Sequence, residues 1–312
     1  MAPTASPPEA SQARDVQVAA ATSRGGDTAA LGATGAISFV TPAMIVIAVF
    51  LVFPAVWTLY LGLTDYRLTG LAAAEPRMVG ASNYATALAD PTFYDALRVT
   101  LLFVLGSAVL GQAVLGFVLA WHMREWRGPW RTALELLVIL AWIIPGSVVA
   151  FLWVAFLDGR SGTLNTLLGL DVEWLLDFPL LSIIVFNIWR GTAFSMLLFG
   201  AALNALPPSH LETARLAGAS GWQQLRDVVL PSVRGYVLTN LLLISLWTFN
   251  DFTPFLLTGG GPSGATQTLP IYIYREALSF FELGYGSAIS ALMLLINLVL
   301  ALFYLRLMRR TS

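Results

Sequence analysis

Residues 179–204 read PLLSIIVFNIWRGTAFSMLLFGAALN, an apolar run broken by one ionisable side chain, Arg190. A helix of that length and composition crosses the roughly 30 Å hydrocarbon core of a bilayer. Five further runs of the same kind lie near 38–64, 98–121, 132–157, 236–258 and 285–306. Overall composition agrees. Of 312 residues, 57% are apolar and 11% charged, against about 25% charged in a soluble domain, and the mean hydropathy is +0.74. The chain has too little polar surface to cover a water-facing fold. The sequence therefore predicts an all-α polytopic membrane protein with six transmembrane helices, without internal repeats and without paired broken helices.

Residues 1–35 are rich in Ala, Ser, Thr, Pro and Gly and carry no apolar periodicity, so they are expected to form a disordered tail, leaving 36–312 as one transmembrane domain. The apolar run begins too late and extends too far for a secretory signal. Arginine placement sets the orientation. With the N-terminus cytoplasmic, the inner segments hold Arg14, Arg24, Arg124, Arg127, Arg131, Arg215, Arg226, Arg234, Arg306, Arg309 and Arg310, and the outer ones hold Arg67, Arg77, Arg98, Arg160 and Arg275. That bias satisfies the positive-inside rule and puts both termini in the cytoplasm. On this topology, 65–97 is a long outer loop with a short interfacial helix expected within 83–97.

Two absences exclude whole classes of chemistry. The chain has no cysteine, so thiolate nucleophiles, cysteine metal sites and disulfides are ruled out. Every basic residue is arginine, so the Gly-Lys-Ser/Thr of a phosphate-binding loop cannot be built and the chain holds no standard ATP site of its own. His122 and His210 have no partner at metal-ligand spacing, and Gly259-Gly260-Gly261-Pro262 is expected to be a turn after span five, with no amphipathic helix carrying a basic residue behind it. No cofactor, metal site or catalytic residue is expected.

One inner loop, 205–235, is too polar to span and too patterned to be a linker. Its core, LPPSHLETARLAGASGWQQLRDVVLPSV, starts at Leu206. Pro207-Pro208 stops the preceding helix. Ser209 stands three residues before Glu212, the spacing of a capping box, and a short helix is expected from there to Leu216, with Gly218 as its stop. A second short helix is expected from Ser220 to Pro231. Leu211, Ala214, Leu225 and Val229 are available to pack.

At these residues the chain resembles the permease subunits of ABC importers. Glu212-Thr213-Ala214, Gly218, Val228 and Leu230-Pro231 stand at the spacing of that family's EAA motif, and the Gly218-Ala219-Ser220-Gly221-Trp222-Gln223 pattern within it also matches. Thr213 and Val228 are mild departures from it. A second block resembles the carbohydrate branch, the maltose and glycerol-3-phosphate permeases. It comprises Trp247-Thr248-Phe249-Asn250-Asp251-Phe252, Leu257-Thr258-Gly259-Gly260-Gly261-Pro262, Thr268, Tyr272-Ile273-Tyr274 and Gly284-Tyr285-Gly286-Ser287-Ala288. The resemblance runs from about Phe39 to Arg310.

The resemblance implies a non-catalytic subunit of a bacterial inner-membrane importer for a carbohydrate. A second permease, two cytoplasmic ATPase subunits and an external sugar-binding protein would be its partners. Ser209, Glu212, Thr213, Ala214, Gly218, Leu230 and Pro231 would then couple to the ATPase, with Glu212 either contacting that partner or capping its own helix. Arg190, Gly191 and Phe194 on span four and Thr248 and Asp251 on span five would match positions around the sugar. Trp189 and Trp247, deeper in their spans than the interfacial Trp57, Trp121, Trp130 and Trp174, add apolar faces for sugar rings, or serve packing alone. Ionisable groups inside a span are costly and point to function, and Arg190 and Asp251 are expected to pair across neighbouring spans. A stand-alone secondary transporter is the alternative, disfavoured by few buried charges and the lack of repeats. An intramembrane enzyme would need a second buried catalytic group that the spans do not hold.

Overall fold

The computed structural model describes residues 33–126 and 128–310, so the tail expected over 1–35 lies almost entirely outside the described residues. The chain divides into two compact units, Met1–Trp57 and Thr58–Ser312. The first contains most of the apolar helix Ile37–Leu61, span one, whose side chains are exposed along its length.

The second unit is helical and holds its apolar core in three clusters. Span two is Pro91–Met123, span four Pro179–Asn204, span five Gly221–Phe249 and span six Leu283–Arg309. Span three consists of two helices, Pro129–Ile143 and Gly146–Phe156, bent by 103° at the junction. Spans two, four and five pack against one another, and span six covers span five. One cluster joins Phe93, Ala108, Ile244, Phe249 and Ile289 where spans two, five and six meet. Another sits at the motif-loop end, where Met196, Phe199, Val229 and Val233 pack with Leu211 and Leu225 beside them. The third holds the second half of span three, through Val149 and Ala150, against Phe103 and Phe186.

Four boundaries differ from the sequence expectation, each for a local reason. Span two starts at Pro91 rather than near 98, because Asp90 caps it by accepting the Thr92 N–H at 2.8 Å. The interfacial helix is therefore confined to Ser82–Ala89. Span three breaks at Ile144-Pro145, whose ψ angles are 133° and 132°. Proline lacks an N–H and drives the residue before it out of the helical region. This is one broken helix, not one of a pair, among the described residues.

Span five is the largest departure. Pro231 does not end a short helix. A π-helical stretch, Gln224–Val229, precedes it, with the Leu230 N–H reaching back to the Leu225 carbonyl, and the helix runs through to Phe249. The wider turn relieves the clash a proline ring makes with the carbonyl four residues earlier. At the other end span five stops at Phe249 rather than 258. The Asp251 carboxylate accepts the Thr253 N–H at 2.9 Å and its hydroxyl at 2.6 Å, forming a local turn before a separate helix, Pro254–Thr258.

Candidate functional site

Two features of the second unit gather the residues singled out in the sequence. The first is a cavity of about 280 Å³ between spans two, three, four and five, lined by Gln112, Trp142, Asn187, Arg190, Gly191, Ile244, Trp247, Thr248 and Asp251. Arg190 Nη1 lies 3.3 Å from Asp251 Oδ2 and donates to Thr253 Oγ1 at 3.1 Å. The side chains are 29% and 16% exposed, so the pair borders the cavity rather than being sealed in protein. A lone charge at such a site is costly, and the pairing removes most of that cost. Asp251 is not seven residues inside a helix, as the expected span boundary implied, but two residues past the end of one. The break in span three serves the same point: a Cβ on Gly146 would sit 3.0 Å from Arg190 Nη2. Two helix breaks thus converge on one guanidinium.

Beside the pair the wall is built from neutral polar groups. Asn187 donates to Ser107 Oγ at 2.7 Å and to Thr248 Oγ1 at 3.3 Å, tying spans two, four and five together. Gln112 Nε2 donates to the Asn187 carbonyl at 2.9 Å. Gly191 makes room for it, since a Cβ there would come within 2.3 Å of the Gln112 amide. The apolar side of the cavity is aromatic. Phe194 packs edge-on against Trp247 at 4.6 Å and tilts against Trp142 at 6.0 Å.

Of the span residues expected around a substrate, Arg190, Gly191, Trp247, Thr248 and Asp251 come together here, and Phe194 backs the wall. Trp189 does not. It turns away and packs on Trp153 at 5.8 Å, because span four presents its neighbour Arg190, not Trp189, to the cavity. Gln112, Trp142, Asn187 and Ile244 line the cavity without having been singled out. Gln112 and Asn187 are amides inside apolar runs, and that signal was available.

The second feature is the motif loop. Helix Pro208–Leu216 starts at Pro208 with Pro207 as its cap residue, so Ser209 lies inside the first turn and forms no capping box with Glu212. Proline supplies the fixed φ of a first turn, which makes the serine cap unnecessary. The capping box is built one helix later, by Ser220 and Gln223. Glu212 is exposed, and its side chain caps no helix end.

Gly218 ends the helix with φ of +77°. Its N–H bonds the Arg215 carbonyl at 3.0 Å, and the Ala219 N–H bonds the Ala214 carbonyl at 3.0 Å, the two bonds of a Schellman stop. Leu211, Leu225 and Val229 pack into the end cluster, as expected, while Ala214 is only half-buried and lies outside that cluster. Leu216 and Trp222, 90% and 67% exposed, project away from it. Leu230 and Pro231 lie at the start of the straight part of span five.

A third group gathers where spans two and six begin. Asp90 Oδ2 accepts from Tyr272 Oη at 2.5 Å and from Tyr285 Oη at 3.3 Å. Burial raises the Asp90 carboxyl, but the hydrogen bonds from Tyr272, Thr92 and Tyr285 outweigh it and hold the group below its ordinary value. Burial and the nearby Glu282 and Asp90 push Glu276 up.

Comparison with known proteins places this geometry. The chain is 32% identical over 278 residues to a probable ABC transporter permease of Pyrococcus horikoshii, covering 86% of this chain and 94% of that one. It is 27% identical to the sulfoquinovosyl glycerol transport system permease of Agrobacterium fabrum, over 88% and 90% of the two chains. Its fold is similar to that of a chain in a bacterial ABC transporter that imports the acidic polysaccharide alginate, with a TM-score of 0.74, 24% identity and coverage of 88% and 94%. The model of binding-protein-dependent transport system inner membrane components matches residues 112–312, which hold the motif loop and every residue lining the cavity. The chain belongs to that family of inner-membrane transport components.

Proposed function

We propose that this chain is half of the translocation pathway of a carbohydrate importer, driven by ATP hydrolysis in separate subunits. A second permease completes the pathway, two ATPase subunits sit in the cytoplasm, and an external binding protein delivers the cargo. The observation that carries the proposal is the coexistence in one chain of a polar, aromatic-walled cavity and a motif loop that leaves Leu216, Trp222 and Glu212 uncovered. Exposed apolar side chains beside a carboxylate suit a protein partner. The arginine distribution puts that loop, residues 1–35 and the C-terminus on the cytoplasmic side, where an ATPase is available.

Carbohydrate as cargo rests on the cavity chemistry and on the relatives. Trp142 and Trp247 offer apolar faces to the C–H surface of a sugar ring, and Arg190, Asp251, Gln112 and Thr248 supply donors and acceptors for hydroxyls. A relative is named for sulfoquinovosyl glycerol and a structural neighbour for alginate, both sugar-containing cargoes. The paired state of Arg190 favours a neutral sugar over a phosphorylated one.

The test is ATP hydrolysis in detergent. The isolated chain is expected to be inactive. Hydrolysis is expected once the ATPase subunits and second permease are co-assembled, and it should rise when sugar-loaded binding protein is added. Nucleotide turnover by the pure chain would overturn the proposal.

A further inference from the structure

The cavity ends, on its motif-loop side, at Gly191 of span four and Ile244 of span five. Helix periodicity continues both walls past that point. Ser195 follows Gly191 by four residues and Asn240 precedes Ile244 by four, so each lies on the same face of its helix, about 6 Å further toward the motif loop. Both side chains are fully buried, at 0% exposure. Neither the Asn240 amide nitrogen, nor its oxygen, nor the Ser195 hydroxyl finds a hydrogen-bond partner among the described residues.

That combination is costly. A buried polar group left unpaired loses roughly 1–3 kcal/mol, and more in a hydrocarbon setting. Serine in a helix ordinarily bonds the carbonyl four residues back, as Thr192 does to Ile188 at 2.6 Å, yet Ser195 does not. Ser195 instead faces span two, where a Cβ on Gly116 would come within 2.4 Å of its own Cβ. Because this chain encloses both groups completely, neither lipid nor a partner subunit reaches them in this conformation. What satisfies them must be small enough to enter a space that this chain encloses.

We propose that Asn240 and Ser195 form a second, inner station of the pathway, occupied by water at rest and by the hydroxyls of the cargo during passage. This rests on the cavity being the cargo site. Polar groups aligned behind the cavity on spans four and five give a hydroxylated cargo hydrogen bonds to move to when these helices part, instead of a dry apolar barrier.

The absence of native cysteine makes a direct test possible. Asn240→Cys, Ser195→Cys, Thr248→Cys and, on the outer apolar surface of span six, Leu298→Cys are made singly in the fully assembled importer. Each is treated with 2-aminoethyl methanethiosulfonate during ATP turnover. The reagent attacks thiolates and has to reach the sulfur itself, so it reports an open path rather than a single enclosed water. Asn240→Cys and Ser195→Cys are expected to react at least about tenfold faster than Leu298→Cys, and to do so only with ATP, while Thr248→Cys reacts with or without it. Reaction at Thr248→Cys with both inner positions as slow as Leu298→Cys would overturn the inner station and leave the cavity standing. Failure at all of these positions would remove the cavity as a cargo site and the inner station with it. As a second readout, Asn240→Leu should assemble at least as well as the native chain and lose most uptake. Normal uptake, or failure to assemble, would overturn the inference, the latter by showing that the amide is a structural bond.

Discussion

Arg190 and Asp251 meet at 3.3 Å at the point where spans three and five both cease to be helical. Neither residue is simply a charge inside a membrane helix. Arg190 projects from an unbroken span, and Asp251 stands in a turn held by Thr253, which both charges also use as a hydrogen-bond partner. The pair therefore fixes the backbone on one wall of the cavity while leaving polar edges open to it.

Arg190→Leu should leave Asp251 uncompensated and lower the thermal stability of the assembled transporter by about 2 kcal/mol, less than a fully buried pair because both groups are partly exposed. Adding Asp251→Leu should restore assembly without restoring uptake. Strictly additive losses in the thermal midpoint would show that the two do not interact. Full uptake in the double variant would remove them from the cargo path.

Gly191→Ala should displace the Gln112 amide, since the added carbon would lie 2.3 Å from its Cδ, far inside van der Waals contact. That breaks the Gln112 bond to the Asn187 carbonyl and reshapes the cavity wall. Uptake should fall at least about tenfold. The double change Gly191→Ala with Gln112→Ala, which removes the clash, should recover assembly by size-exclusion chromatography. Equal assembly of the single and double variants would show that the close approach does not matter.

Much of this was legible in the sequence where the signal is local. Span four runs from Pro179 to Asn204, the bounds its apolar run implied, because prolines stand at both ends. Gly218 adopts the positive φ its place in the motif required. Prolines inside spans were read less well, because their effect depends on the backbone around them. Pro231 is absorbed by a π turn, whereas Pro145 bends its span by 103°. Gln112 and Asn187 belong to no motif, and their part in the wall follows from contacts between spans that no local pattern encodes. Trp189 was misplaced because one residue's step around a helix turns a side chain through about 100°.

Gly218→Val should uncouple the motif loop. Nothing lies within 4 Å of a Cβ at this position, so the penalty is conformational rather than steric, roughly 1–2 kcal/mol for a left-handed residue and more if β-branched. Stimulation of ATP hydrolysis by the loaded binding protein should be lost in Gly218→Val and kept in Gly218→Asn, which tolerates that conformation. Equal stimulation in both would separate Gly218 from coupling.

Asp90 links the start of span two to Tyr272 and Tyr285. Because the folded chain holds this carboxyl below its ordinary value of 3.8, its stabilisation is present at neutral pH and is lost as pH falls through the folded value. Tyr272→Phe removes the shortest of these bonds. It should lower the thermal midpoint at neutral pH and flatten its fall below pH 3.8. An unchanged acid limb would show that Asp90 does not set it.

The most direct test is uptake into proteoliposomes. The chain is reconstituted with its second permease, both ATPase subunits and the external binding protein, and labelled sugar bound by that protein is offered outside with ATP inside. Accumulation against a gradient is expected, and it should require ATP and binding protein and be lost in Arg190→Leu. Uptake by this chain alone, without ATP, would contradict the account.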